Sequence, residues 1–150
     1  MTLTLLSEPT AVAMLETQRM LFFPAKDAPE FSAFAWADAI PKLLQARLIE
    51  SFENYDIAHA PLHAADTGQP DFELLVDVRH FRVTLNSESM AEIALSARML
   101  NKDGKVIASR LFEESEKVEK LEPQAAVAAF DAAFDRIARN MLDWTVQALP

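Results

Sequence analysis

The stretch from Phe72 to Val118 constrains the fold more than any other part of the chain. In "FELLVDVRHFRVTL" (Phe72 to Leu85) apolar residues alternate at Phe72, Leu74, Val76 and Val78, then change parity to Phe81, Val83 and Leu85. A period of two marks a strand with one buried face. A one-residue slip turns every later side chain to the other face, so the strand keeps its buried face only by inserting an extra residue. The parity change therefore predicts a β-bulge near Arg79 and His80. "MAEIALSARML" (Met90 to Leu100) alternates Ile93, Leu95, Ala97 and Met99. "NKDGK" (Asn101 to Lys105) reads as a hairpin turn with Gly104 in the left-handed position, and "VIASRLFEESEKV" returns as a third long strand. Residues 72 to about 118 are thus expected to form an antiparallel meander with one face in need of cover.

Two long amphipathic helices supply that cover. The first is expected from about Ala39 to Asn54, with Ile40, Leu43, Leu44, Leu48 and Phe52 on one stripe. Asp38 is the expected N-cap, and Pro41 falls in the first turn, where a missing N–H does no harm. The second runs from Gln124 to Ala148, about 25 residues or roughly 37 Å. Its stripe is Val127, Phe130, Phe134, Ile137, Ala138, Met141, Thr145 and Ala148, and Pro123 suits its N1 position. "LTLLSEP" and "TQRMLFF" (Thr17 to Phe23) are expected as short strands before the first helix, with a loop from Pro24 to Phe34. A further short strand is expected near Tyr55 to His59. Two helices on one face of an antiparallel-rich sheet make an α+β two-layer sandwich. Residues 1–150 are read as a single domain, long enough to bury one core without staples.

Composition narrows the function. The net charge is −9, with 23 acidic and 14 basic residues and no basic run. Binding a nucleic acid needs clustered Lys and Arg to neutralise phosphates, so that partner class is excluded. No apolar run approaches the roughly 18–20 residues needed to span a bilayer. The chain has no cysteine, which removes disulfides, thiolate nucleophiles and Cys-based zinc sites. With only Gly68 and Gly104, it also has no Gly-rich phosphate loop or dinucleotide fingerprint.

The candidate sites are few. His59 and His63 have the i, i+4 spacing of helical metal ligands, with Asp56 and Asp66 nearby, but Pro61 between them argues against the helix face they would need. Solvated loop residues explain the set more simply, and no metal or other cofactor is assigned. Glu113 to Glu122 holds five glutamates and two lysines. It reads as a solvated strand edge whose charges discourage edge-to-edge aggregation. No Ser sits in a Gly-flanked nucleophile elbow, so no catalytic residue is assigned and the chain is read as no enzyme. Arg79 and His80 at the bulge, Trp36 ahead of the first helix and Trp144 near the end of the second are candidate partner contacts. Beside that reading stands a plainer one, with a solvated bulge, a helix entrance and core packing.

The order of these elements and their residues resembles the ABC-type transport auxiliary lipoprotein family. The resemblance is carried by "QRMLFF", "FAWADAIPKLLQARLIESFENYD", "PDFELLVDVRHFRVTL", "LNKDGKVIASRLFEES" and "AAVAAFDAAFDRIARNMLDWTVQAL". Phe34, Trp36, Ala37, Asp38, Pro41, Leu43, Leu44, Leu48, Phe81, Phe130 and Trp144 sit on the family pattern. The resemblance implies a fold similar to the N-terminal domain of TolB. It also implies a non-enzymatic component of an MCE-type ABC lipid transport system, such as the Pqi system, in the Gram-negative envelope. Such a component docks onto an MCE-domain protein in the periplasm, is tethered by a lipidated cysteine and can form homo-oligomers. With no cysteine in this chain, that reading requires a leader ending in a lipobox cysteine upstream of Thr2. Two alternatives stand beside docking: a periplasmic carrier of phospholipid, and a cytoplasmic α+β interaction domain of unrelated role. The bulky Leu, Ile and Phe of both stripes favour a packed core, and so docking over carriage.

Overall fold

A computed structural model of the chain describes residues 4–54, 62–63 and 71–148. The meander is its centre. Strands β5 (Phe72–Leu85), β6 (Ser89–Asn101) and β7 (Val106–Lys117) pair antiparallel in sequence order. The β5–β6 register shifts between Val78 and His80, so Arg79 is the inserted residue and the expected bulge is present. On one face Leu74, Val76, Val78, Phe81 and Val83 of β5 meet Ile93, Leu95, Ala97 and Met99 of β6, all buried. The change of parity is what keeps both halves of β5 on that face. At the β6–β7 turn, Gly104 has φ 80°, and the Asn101 carboxamide oxygen accepts from the N–H groups of Asp103 and Lys105, both at 3.0 Å.

The other edge of β5 is built from the first part of the chain. Short strands β1 (Thr4–Leu6), β2 (Thr10–Ala11) and β3 (Phe22–Phe23) pair parallel to β5 at Phe72–Leu74, Asp77–Val78 and Val83–Thr84 in turn. Strand β4 (Leu62–His63) pairs parallel to β1 beyond them. Together these make a seven-stranded mixed sheet among the described residues. The strand expected over Thr17 to Phe23 shrinks to Phe22–Phe23. The backbone of its first half bonds elsewhere: the carbonyls of Thr17 and Gln18 accept from Ile40 and Trp36, at 3.0 and 2.8 Å. The strand expected near Tyr55 to His59 lies outside the described residues.

Helix α1 (Ile40–Asn54) buries Ile40, Leu44, Leu48 and Phe52, with Leu43 half-buried. Asp38 is not its cap. The Ala39 carbonyl accepts the first helical bond, from Leu43 at 2.9 Å, and the exposed N–H of Ile40 is satisfied by the Thr17 carbonyl instead of a side chain. A backbone partner brought by the fold has taken the place the Asp38 carboxylate was expected to fill. Helix α2 (Pro123–Ala148) begins on Pro123 and buries Phe130, Phe134, Ile137, Ala138, Met141 and Thr145. Its rings fix it on the sheet: Phe130 stacks on Phe81 of β5 with centroids 4.6 Å apart, and Trp144 meets Phe112 of β7 edge-on at 5.6 Å. Helix α1 lies beside it, joined to β1 by a Gln45 side-chain bond to the Leu6 carbonyl and to α2 by the Arg47–Asp131 ion pair at 2.7 Å. Both helices share one core with the sheet, which makes the fold an α+β sandwich.

Candidate functional site

Among the described residues, the helices cover one sheet face and leave the other open. On that outer face the bulge sits beside the β2 edge. Asp77 accepts from the Thr10 hydroxyl at 2.7 Å and pairs with the Arg79 guanidinium at 3.0 Å, so one carboxylate fastens both the edge strand and the bulged residue. Next to them lies a trough of about 640 Å³. Exposed Val12 and Leu111 line its two sides, while the small Ala94 and Ser96 of β6 and the half-buried His80 line it between them. Small side chains on a central strand between larger neighbours lower the surface locally, and the bulge sets Arg79 at its margin. The arrangement is a shallow recess with apolar walls and a charged end.

Of the four candidate contact residues, only Arg79 and His80 come together here. Trp36 and Trp144 are 7% and 9% exposed and sit in the core, far too covered to present much surface to a partner. Trp36 is one member of an aromatic chain: its ring meets Phe34, Phe81 and Phe130 edge-on at centroid distances of 5.0, 5.4 and 5.5 Å. Its backbone is held at both ends by Gln18, whose carbonyl accepts from the Trp36 N–H and whose carboxamide donates to the Trp36 carbonyl at 2.9 Å. Its indole N–H is buried without a hydrogen-bond partner among the described residues.

The acidic run is less solvated than its sequence suggests. Glu114 and Glu116 share the Arg136 guanidinium of α2, at 2.7 and 2.9 Å, and Arg136 also donates to the Ser115 carbonyl. The bond to Glu114 is the main influence raising the Arg136 pKa above its ordinary value, with partial burial acting against it. Alternation along β7 was the available signal: Glu114 and Glu116 share parity with buried Phe112 and so face the helix. Val12 and Leu111 were also missed, because a lone exposed apolar residue carries no signal until its neighbours are known.

Among the described residues there is no cluster of three or more His, Asp or Glu side chains disposed to hold a metal ion. His59, Asp56 and Asp66 lie outside those residues. Also among them, no helix is long and apolar enough to cross a membrane. Between α1 and α2 the surface carries a polar cleft of about 550 Å³ lined by Arg47, Glu50, Asp131 and Asp135, while the pocket under Trp36, Phe81 and Phe130 holds only about 10 Å³.

Comparison with known proteins fits this architecture. Protein XCC0632 of Xanthomonas campestris superposes with a TM-score of 0.84 at 24% identity, over 97% of this chain and 83% of that one. PelC of Paraburkholderia phytofirmans, a dodecamer, matches more distantly, with a TM-score of 0.51 at 8% identity over 90% of this chain and 86% of its own. The Bradyrhizobium diazoefficiens protein bll6063, itself of unassigned function, is 65% identical over 142 residues. That match takes in 95% of this chain but 39% of bll6063, so the chain spans well under half of that relative's length. Residues 5–142 match the sequence pattern of the ABC-type transport auxiliary lipoprotein component, and the chain belongs to that family.

Proposed function

We propose that the chain is a non-enzymatic auxiliary component of an MCE-type ABC lipid transport system in the Gram-negative envelope. It acts in the periplasm as a docking module for the MCE-domain protein, anchored through a lipidated cysteine encoded upstream. Family membership supports the link to ABC transport and to the envelope. The observation that carries the docking reading is a helix–sheet core packed with buried side chains under a sheet face that no described element covers. The pocket under Trp36, Phe81 and Phe130 holds only about 10 Å³, room for about one water. The larger cleft between α1 and α2, about 550 Å³, is lined by Arg47, Glu50, Asp131 and Asp135 and is too polar for an acyl chain. The outer face, by contrast, presents a trough of about 640 Å³ walled by Val12 and Leu111. Arg79 and His80 are the proposed contact residues within it. Self-association is part of the proposal, since a dodecameric PelC has a related fold and, among the described residues, β7 ends the sheet with its outer edge unpaired.

Co-expression with the MCE-domain protein of the same system tests this: a complex that survives gel filtration is expected, and its absence sinks the docking reading. The second reading, a phospholipid carrier, predicts a different result. Native mass spectrometry of the purified chain then shows a two-chain lipid retained at near unit stoichiometry, held in a core that must open to admit it.

A further inference from the structure

We propose that the pocket formed by residues 19–34, around β3 and the loop that follows it, binds an anionic amphiphile, with a phosphate or carboxylate head on an alkyl chain. The pocket, about 580 Å³, is lined by Arg19 and Lys26 together with Met20, Phe22, Phe31 and Phe34. That volume falls within the roughly 300–1,000 Å³ typical of small-molecule sites. Two features point to the ligand.

The first is charge. The chain carries 23 acidic and 14 basic residues, and five of the seven other arginines are matched to carboxylates: Arg47 to Asp131, Arg79 to Asp77, Arg82 to Glu92, Arg136 to Glu114 and Glu116, and Arg139 to Asp135, while Arg110 lies over the Phe112 ring. The Arg19 and Lys26 side chains have no hydrogen bond or ion pair among the described residues, although both line one cavity. Asp27 is the one carboxylate lining it and pairs with neither. Two cations against one anion make a local excess of positive charge in an acidic protein, and an anionic head completes it.

The second is the apolar lining. Phe31 meets Phe22 edge-on at 5.1 Å and Phe34 at 6.4 Å, so the three rings brace one another before any ligand arrives. Met20 and Phe31 are almost fully buried, while Phe22 and Phe34 keep part of their surface open. A simple inorganic anion would leave that surface wet. An alkyl chain covers it, at about 25 cal/mol per Å² of apolar area removed from water. The tail stops in the pocket, because Phe34 adjoins Trp36 and the void beyond is only about 10 Å³. This site uses none of the residues of the sheet-face trough, so it stands or falls separately from docking.

The test is calorimetric titration of the whole chain with dodecyl phosphate and with dodecanoate, each below its micelle concentration. Dodecyl maltoside and inorganic phosphate serve as controls. One saturable site is expected for at least one anionic amphiphile, and the tighter of the two identifies the head. Arg19→Gln combined with Lys26→Gln should weaken it tenfold or more, while Asp27→Asn should tighten it, a reversal of sign that a structural role does not produce. All three positions are exposed, and melting curves confirm that the variants fold. The proposal is overturned if neither amphiphile saturates, if the double variant binds as wild type does, or if either control binds as well as the anionic amphiphiles.

Discussion

Replacing Trp36 separates a core residue from a contact residue. The side chain is 7% exposed and makes edge-on contacts with Phe34, Phe81 and Phe130. Removing a buried Trp costs about 3–5 kcal/mol through lost transfer energy and the cavity left behind, and each ring pair adds about 0.5–1.5 kcal/mol beyond burial. Trp36→Ala should therefore fall at the upper end of that range. For a chain of this length 1 kcal/mol shifts the midpoint by about 2–4 °C, so the melting temperature should drop by roughly 10–20 °C. Trp36→Phe keeps a ring among the three phenylalanines and deletes an indole N–H that has no partner among the described residues. Relief of a buried unsatisfied donor, about 1–3 kcal/mol, offsets much of the lost area, leaving a net cost of about 1 kcal/mol or less. Urea unfolding followed by circular dichroism at 222 nm measures both. An alanine variant within about 0.5 kcal/mol of wild type would refute burial as the role of Trp36. A phenylalanine variant as unstable as the alanine one would refute the claim that the N–H is unneeded.

Two smaller perturbations follow from local geometry. Arg136→Ala removes the tie between α2 and both Glu114 and Glu116, but the Arg136 side chain is 42% exposed and its charge is screened. The expected loss is about 1 kcal/mol in low salt, shrinking as salt rises, and a loss that is unchanged at high salt would contradict it. Gly104→Ala meets no steric neighbour within 4 Å, yet φ of 80° is unfavourable for an L side chain. A cost of about 1 kcal/mol in urea titration is expected from the backbone alone, and a neutral or stabilising result would count against a left-handed turn.

The sequence carries the meander and the closing helix because their burial repeats. The parity change across Arg79 predicted the bulge, since only one inserted residue keeps Val78 and Phe81 on the same face. The short strands were harder to read. Ala11 pairs with Val78 and Phe22 with Val83, but two-residue parallel strands on the edge of β5 are too short to show a period. Their pairing is decided by β5, not by themselves. Asp38 shows the same limit from the other side: local chemistry favours it as a cap, yet Thr17, distant in sequence, supplies the acceptor. The trough was half legible. The bulge pointed to Arg79 and His80, whereas Val12 and Leu111 join them only once β2 and β7 lie on either side of β5 and β6. The cation–aromatic pocket gave no sequence signal, because Arg19 and Phe34 become neighbours only through the fold of the intervening loop.

Docking through the open sheet face is tested most directly by the affinity of this chain for the MCE-domain protein of its own transport system, read on an immobilised partner. Arg79→Glu and Leu111→Glu change exposed side chains at the trough, the first giving up the exposed ion pair to Asp77, and at about 0.5 kcal/mol each the double variant should melt within about 4 °C of wild type. Docking at this face predicts that the pair of substitutions weakens binding tenfold or more, about 1.4 kcal/mol. Binding at wild-type strength by the folded double variant would contradict it.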